Sequence, residues 1–290
     1  MAVLLLIAVV VVTMVVKRSS HSLQSGAASS SRISSTAVSR KGTASSAPAA
    51  ATSDTAAAAS AAAPKNEMRA VWVSYLTLGT IGQTAKTEPV FISKFTEVVQ
   101  NAKAKGMNTL VVQVRAFGDA LYPSQYYPWS HLTGNTQGVN PGYDPLKDMV
   151  EITHKAGLKF HAWVNPLRIQ LNNTPSILAQ NNPWNVFHRD PARSQWAVSY
   201  KNGKYLDPGW EGVRKYIADS VAEIVKNYPV DGVQFDDYFY PDEGDAFDKA
   251  SYQAYCAGKK QGETLSLADW RCANINDLIS RTYRAVKENR

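Results

Sequence analysis

Strand-like and helix-like segments alternate along the chain from about residue 69 onward. Short apolar runs rich in Val and aromatic residues predict strands, whereas longer segments with apolar residues three and four apart predict amphipathic helices. Four predicted strands are each followed by a predicted helix: strands at 69–76, 107–116, 158–168 and 230–240, helices at 90–106, 144–157, 208–229 and 267–288. Repeated strand–helix units of this kind pack as a parallel sheet with right-handed crossover connections.

Within each predicted strand the side chains divide into an apolar and a polar side, because alternate residues of a strand face opposite sides of the sheet. The apolar side belongs against covering helices, and a side that becomes more polar toward the C-terminal end is typical of a barrel mouth. We therefore predict an α/β fold of the TIM, or (β/α)8, barrel type. Its interior side should carry Trp72, Ser74, Gln113, Arg115, His161, Trp163, Asn165, Gln234 and Asp236.

The segment DGVQFDDYFYP, residues 231–241, ends an apolar strand on two carboxylates. Active sites of this barrel type lie at the C-terminal ends of the strands. The alternation places Asp236 in the barrel mouth, and Asp237 at the rim unless the strand end turns it inward. The alternative to an active site is a structural role, in which the two acids cap or bind a neighbouring helix. The long loops at 117–144 and 169–207, rich in Tyr, Trp, Asn and Gly, mark the same face as functional.

Four motifs, one on each predicted strand, resemble those of a known family. In order they read RAVWVS, VVQVRAFGDALYPSQYYPWS, KFHAWVNPLR and DGVQFDDYFYP. Together they are similar to the YngK-like, glycosyl-hydrolase-like family of bacterial envelope proteins, over about residues 67–290. The resemblance implies a glycosidase that acts on a cell-envelope polysaccharide, with peptidoglycan glycan strands as the expected substrate.

Glycoside hydrolysis usually needs one carboxylate that attacks or stabilises the oxocarbenium-like centre and a second acid that protonates the leaving oxygen. We expect Asp236 to be the nucleophile or stabiliser, and Asp237 to be its partner or a substrate-binding group. Adjacent strand residues diverge, so the two alone make a poor acid and nucleophile pair. The expected substrate-binding residues are Gln113, Arg115, His161, Trp163, Asn165, Gln234, Tyr238 and Tyr240.

Several of these residues also fit structural roles. Arg115 could be an ionic partner of Asp236, His161 a packed residue of the barrel, and Trp163, like Trp72, a side chain that fills the barrel interior. The competing functional hypothesis is a catalytically silent glycan-binding envelope protein. Such a protein would keep the aromatic loops but would need no ionisable pair.

The N-terminal part of the chain predicts export. Residues 1–18 contain an apolar run of the length found in a signal peptide or a minimal membrane anchor. Residues 19–64 are rich in Ser and Ala and are expected to form a disordered linker. We expect a periplasmic or extracellular protein whose only membrane contact is this N-terminal segment. Its orientation stays open, because no basic residue precedes the apolar run and Lys17 and Arg18 follow it.

No cofactor, metal or nucleic-acid partner is predicted. The sequence contains no glycine-rich phosphate loop, no Cys-x-x-Cys and no His-Glu-x-x-His pair. The acidic segment 241–249 lacks the spacing of an EF-hand and predicts a solvated loop. Much of the net charge of +7 comes from the basic N-terminal stretch, so it does not indicate a nucleic-acid surface.

Two expectations concern the C-terminal part of the chain. Cys256 and Cys272 are the only cysteines, and they fit either a disulfide or two free thiols. Residues 65–290 hold four strand–helix units, whereas a closed barrel of this type has eight. We therefore expect a barrel domain that is truncated at its C-terminal side, with exposed strand edges that favour assembly or aggregation.

Overall fold

The computed structural model describes residues 67–290 except residues 135, 243, 245 and 261. The predicted signal or anchor segment, 1–18, and the linker, 19–64, lie outside the described residues and stay predictions. Among the described helices, none combines the length and the apolar composition needed to cross a membrane. The strands are β1 (Ala70–Val73), β2 (Thr109–Arg115), β3 (Lys159–Val164), β4 (Arg168–Leu171), β5 (Ala197–Tyr200), β6 (Gly203–Leu206) and β7 (Gly232–Phe235). The helices are α1 (Tyr75–Thr84), α2 (Glu88–Ala104), α3 (Pro145–Lys155), α4 (Pro183–His188), α5 (Glu211–Asn227), α6 (Lys249–Cys256) and α7 (Leu267–Glu288), with a 3₁₀ helix at His131–Thr133.

The main sheet is parallel and has the strand order β1-β2-β3-β7. Trp72 of β1 pairs with Val111 of β2, Gln113 of β2 with Trp163 of β3, and Trp163 with Gln234 of β7. The predicted α/β fold of the (β/α)8-barrel type, with four parallel strands among the described residues, is confirmed. Because the strands are parallel, their C-terminal ends meet along one edge of the sheet, where the predicted site should lie.

The hydrophobic core lies between this sheet and helices α2, α3 and α5. In α2 the buried residues Phe91, Phe95 and Val99 are spaced by four, so they form one stripe that faces the sheet. Every residue of β2 is buried, as expected for an inner strand covered on both faces. Full burial of one such aromatic or aliphatic side chain stabilises the fold by about 1.5–3 kcal/mol.

The first predicted strand is shorter than expected, because α1 begins at Tyr75 immediately after it. The turn is held by the Tyr75 backbone N–H, which donates to Gln113 Oε1 at 2.8 Å. Helix α1 packs against the 3₁₀ helix at Gly82, where a Cβ would lie 1.7 Å from the Leu132 carbonyl oxygen. Only glycine allows this close approach of two backbones, which a strand pattern read from residues 69–76 does not predict.

A small antiparallel sheet of order β4-β6-β5 occupies much of the region 169–207, which was predicted as a long loop, and begins one residue before it. Its β5–β6 hairpin turns at Lys201, which has a φ of 49°. Leu206 N–H donates to the Leu167 carbonyl at 2.7 Å and so ties β6 to the segment that follows β3. The region is therefore ordered, on the face where the functional site is predicted.

The acidic segment 241–249 is not simply a solvated loop, which corrects the sequence prediction. The Asp248 side chain is fully buried and accepts two hydrogen bonds from Arg271 of α7, at 2.7 and 2.6 Å. Asp242 pairs with Tyr200 and Lys201 of the β5–β6 hairpin. These partners lie on elements distant in sequence, so the composition of the segment alone could not reveal them.

Cys256 and Cys272 are both free thiols in the structure. Cys256, at the end of α6, is half-buried, and Cys272, in α7, is exposed. Of the two alternatives that the sequence left open, the structure has the unlinked one.

Candidate active site

Asp237 is the second residue after β7 and has a backbone φ of 50°. This left-handed conformation is uncommon and strained for a residue other than glycine, and such strain concentrates at functional sites. The turn brings the side chain toward the end of β3, where Asn165 Nδ2 donates to Asp237 Oδ2 at 2.9 Å. Arg168 Nη1 lies 3.0 Å from the same oxygen. Asp237 is therefore turned inward, the second of the two placements that the strand pattern allowed.

A chain of amide hydrogen bonds orients Asn165. Gln113 Oε1 accepts from the Tyr75 backbone N–H at 2.8 Å, and Gln113 Nε2 donates to Asn165 Oδ1 at 2.5 Å. Both amide side chains are buried, with 1% and 2% of their surface exposed. Since each amide is fixed at both ends, the Asn165 NH2 group has one orientation, directed at the Asp237 carboxylate.

Arg168 is the second group that holds Asp237, and the sequence pattern predicted no role for it. Its Nε donates to the Ala116 carbonyl at 2.9 Å, and its guanidinium carbon lies 5.1 Å from the centroid of the Phe117 ring. A guanidinium and an amide donor thus hold the same oxygen of the Asp237 carboxylate. The sequence signal that could have identified Arg168 is its position at the end of the motif KFHAWVNPLR.

Asp236 is held much less tightly than Asp237. Its backbone N–H donates to the Val164 carbonyl at 3.2 Å, which continues the β3–β7 pairing by one residue. Its Oδ1 accepts from the Asp237 backbone N–H at 2.9 Å. In the part of the chain that the structure describes, Asp236 Oδ2 has no hydrogen-bond partner. This oxygen is available to a ligand.

A third carboxylate, Asp119, belongs to the loop after β2. Asp119 Oδ2 is 2.8 Å from His131 Nδ1 and accepts from Gln137 Nε2 at 2.9 Å. The His131 ring packs edge-on against Phe117 at a centroid distance of 5.4 Å, and Phe117 in turn supports Arg168. Asp119 Oδ1 is buried and has no hydrogen-bond partner among the described residues. Asp119 belongs to the motif VVQVRAFGDALYPSQYYPWS, but the sequence pattern predicted no role for it.

Four other residues predicted on the interior side have contacts of their own. Trp72 and Trp163 make an edge-to-face contact, with ring centroids 4.8 Å apart and an interplanar angle of 79°. Gln234 Nε2 donates to the Phe235 carbonyl at 2.9 Å. His161 packs against Gly232, where a Cβ would lie 2.8 Å from the imidazole ring. Burial lowers the pKa of His161, so its neutral form is favoured.

Arg115 does not lie with the predicted site, which differs from its assignment as a substrate-binding residue. A register shift just before it pairs Arg115 with Val164, whose side chain faces the helices. Its Nη1 donates to Ser220 Oγ of α5 at 2.9 Å and to Tyr122 Oη at 3.3 Å, and the guanidinium lies 4.4 Å from the Tyr127 ring centroid. The bulge therefore turns the guanidinium into the core, where it has no contact with Asp236.

The two predicted tyrosines after β7 have different surroundings. Tyr238 is exposed and touches Phe239, with ring centroids 6.0 Å apart. Tyr240 Oη accepts from Asn274 Nδ2 of α7 at 3.1 Å, and its ring packs edge-on against Phe247. Burial raises the pKa of Tyr240. Tyr238 is placed where a ligand could reach it, whereas Tyr240 anchors its loop to α7.

Asp237 and Arg168 line a small pocket of about 190 Å³. Its other lining residues are Leu167, Leu171, Tyr205, Phe239 and Pro241. Phe239 and Pro241 also line a groove of about 970 Å³ that runs along α7. A separate groove of about 920 Å³ lies between α3 and α5, where none of the predicted site residues lines it. No cluster of three or more metal-ligating side chains is found within the described residues.

The family described as Glycosyl hydrolase-like 10 matches residues 67–290. The chain belongs to this family. Glycosyl hydrolase YngK of Bacillus subtilis is 37% identical to it over 226 residues, which are 76% of this chain and 42% of that protein. Glycosyl hydrolase DigH of Escherichia coli is 41% identical over 192 residues, which are 63% of this chain and 42% of that protein. The chain thus spans less than half the length of these relatives.

A solved structure with a similar fold is the glycoside hydrolase domain of PgaB (BpsB) from Bordetella bronchiseptica. The TM-score is 0.50 at 16% sequence identity, over 77% of this chain and 62% of that domain. At this level of identity the likeness supports the barrel-type fold and leaves the substrate open. This Glycosyl hydrolase-like 10 member therefore has a glycosidase-like fold, with Asp236 and Asp237 at the C-terminal edge of its parallel sheet.

Proposed function

We propose that the chain is a glycoside hydrolase that acts on a cell-envelope polysaccharide, with the glycan strands of peptidoglycan as substrate. The observation that carries the proposal is the anchored carboxylate of Asp237, held by Asn165 and Arg168 beside the unanchored carboxylate of Asp236. Family membership supports a glycosidase, and the N-terminal apolar segment motivates an exported protein.

The two carboxylates suit different tasks. The free oxygen of Asp236 makes it the candidate nucleophile or stabiliser of the oxocarbenium-like centre. Asp237, restrained by a charged and a neutral donor, is the candidate for positioning the sugar through a hydroxyl group. Exposed Tyr238 and Phe239 offer faces on which a sugar ring can stack.

Mass analysis of soluble products tests the proposal. Purified, peptide-free glycan strands are incubated with the full chain and with the Asp236→Asn variant, which keeps the side-chain shape but cannot carry the charge. We expect fragment release to fall by at least about a hundredfold in the variant. Asp219→Asn is the matched control, since Asp219 lies on α5 and pairs with Lys215. Unchanged release in Asp236→Asn, or glycan binding without any release by the parent chain, favours the non-catalytic glycan-binding alternative.

A further inference from the structure

We propose that the small pocket beside Asp237 binds the acyl group of an N-acylated sugar and so selects 2-acylamino sugars over plain hexoses. The inference rests on the proposed function, because it names a substituent recognised at the same site. The pocket is lined by Leu167, Arg168, Leu171, Tyr205, Asp237, Phe239 and Pro241.

The walls of the pocket are mainly apolar. Leu167, Leu171, Phe239 and Pro241 offer no side-chain hydrogen-bonding group to a ligand. A sugar hydroxyl placed against these walls would lose its hydrogen bonds to water without replacement, which is unfavourable. A methyl group placed there gains from leaving water. The chemistry of the walls therefore favours an alkyl end over a hydroxyl group.

The polar groups of the pocket complement an amide. Arg168 uses Nε for the Ala116 carbonyl and Nη1 for Asp237, and its Nη2 has no hydrogen-bond partner among the described residues. That nitrogen can donate to an amide carbonyl oxygen, while the Asp237 carboxylate can accept from an amide N–H. Arg168 and Asp237 thus present a donor and an acceptor next to an apolar wall, the pattern that an acylamino group requires.

The size of the pocket fits a substituent better than an oligosaccharide. Its volume of about 190 Å³ lies below the ~300–1,000 Å³ of pockets that enclose a drug-sized ligand. The groove of about 970 Å³ that shares Phe239 and Pro241 can hold the remaining sugars. A glycan lying in this groove would place one substituent in the pocket.

The test compares two uncharged tetrasaccharides that differ in the 2-substituent, chitotetraose with acetamido groups and cellotetraose with hydroxyl groups. Binding to the full chain is measured by calorimetry, so no catalytic step is required. The Leu171→Trp variant fills the pocket. Ile177→Trp is the matched control, because Ile177 is 75% exposed and does not line the pocket. Phe239→Ala, at a wall residue that is 58% exposed, tests the same pocket without threatening the core.

We expect the parent chain and Ile177→Trp to bind chitotetraose about tenfold more tightly than cellotetraose, the gain from one well-placed methyl and one hydrogen bond. In Leu171→Trp the two affinities should become equal through weaker binding of chitotetraose alone, and Phe239→Ala should reduce the ratio. Equal affinities in the parent chain, a ratio unchanged in both pocket variants, or binding of neither sugar overturns the inference. Equal affinities together with Asp236-dependent glycan release leave the proposed function standing, whereas an intact preference without release contradicts the proposed function alone.

Discussion

The guanidinium of Arg168 lies 3.0 Å from the carboxylate of Asp237, at the edge where four parallel strands end. The Arg168 side chain is 13% exposed and that of Asp237 is 43% exposed. Water screens a pair of this kind, so its direct contribution to the free energy of unfolding should be at most about 1 kcal/mol. We expect the pair mainly to set the position of Asp237, so its loss should affect the proposed catalysis more than stability.

Arg168→Met should therefore lower glycan release by about ten- to a hundredfold while it reduces the free energy of unfolding by no more than about 2 kcal/mol. A double-mutant cycle with Asp237→Asn, read out on release rates, isolates the coupling between the two side chains. We expect the double variant to be little worse than either single variant. Fully additive losses would show that the two residues act independently. Arg189→Met, which removes an exposed arginine bound to Gln180, serves as the control.

Arg115 should act on stability and leave glycan binding unchanged. Arg115→Lys keeps the charge but loses the planar contact with the Tyr127 ring and the hydrogen bonds to Ser220 and Tyr122. We expect a loss of roughly 1–3 kcal/mol in the free energy of unfolding, measured by urea denaturation. Chitotetraose affinity of the folded variant should equal that of the parent chain. A large loss of affinity with an unchanged unfolding curve would return Arg115 to the substrate site.

Gly82 should tolerate no side chain. An added Cβ would lie 1.7 Å from the Leu132 carbonyl oxygen, so Gly82→Ala must push the 3₁₀ helix away from α1. We expect a loss of more than about 2 kcal/mol in the free energy of unfolding, although alanine is the better helix former. Gly134 directly follows the 3₁₀ helix, and a Cβ added there has no atom within 4 Å. Gly134→Ala should therefore change the free energy of unfolding by less than about 0.5 kcal/mol. Equal effects of the two substitutions would contradict the close packing.

Asp207 should make stability fall as the pH rises from about 4 to 6. Burial raises the pKa of Asp207 to about 6 in the folded chain, while an aspartate of the unfolded chain titrates near ~3.9. Between these values the folded state binds more protons, so ionisation on raising the pH costs stability, by about 3 kcal/mol in total. Asp207→Asn does not titrate, and its stability relative to the parent chain should rise by that amount from pH 4 to pH 7.

Urea denaturation at several pH values measures this difference. Asp190→Asn should show the opposite trend, because the hydrogen bond from Arg193 lowers the pKa of Asp190. For that residue the stabilising contribution is present at neutral pH and is lost as the pH falls through the acidic range. Parallel stability curves for the parent chain and Asp207→Asn would contradict the assignment for Asp207.

The periodicity of the sequence correctly predicted helices whose start and end are set by residues within one segment. The last helix begins and ends where its pattern does, and Asp144 caps α3 as the Asp-Pro start predicts. The interior residues Gln113 and Asn165 were also found by strand alternation, and the structure links them to Asp237. These features follow from spacing within one segment.

The features that sequence reasoning missed depend on contacts between segments. The register shift before Arg115 arises from its pairing with β3, so alternation placed that side chain on the wrong side of the sheet. Arg168 and Tyr205 belong to a small sheet whose strands have four residues each, too short for a periodic signal. The positive φ of Asp237 could not be predicted from its residue type, because glycine is the usual residue in that conformation. Contacts of the side chain with Asn165 and Arg168 hold it there.

The central claim is that the chain hydrolyses glycan strands and that this hydrolysis depends on Asp236. It is tested most directly by measuring whether the oxygen at each newly formed reducing end comes from water. Purified glycan strands are incubated in ¹⁸O-labelled water with the parent chain or with Asp236→Asn, and the masses of the soluble fragments are measured by mass spectrometry. Fragments added to labelled water without protein correct for spontaneous exchange. Hydrolysis breaks the bond between the anomeric carbon and the glycosidic oxygen and places one water oxygen on that carbon. We expect one ¹⁸O on each newly formed reducing end from the parent chain, none on the fragment that keeps the original end of the strand, and almost no fragments from Asp236→Asn. New reducing ends without ¹⁸O, or equal labelled release by both proteins, would contradict the account.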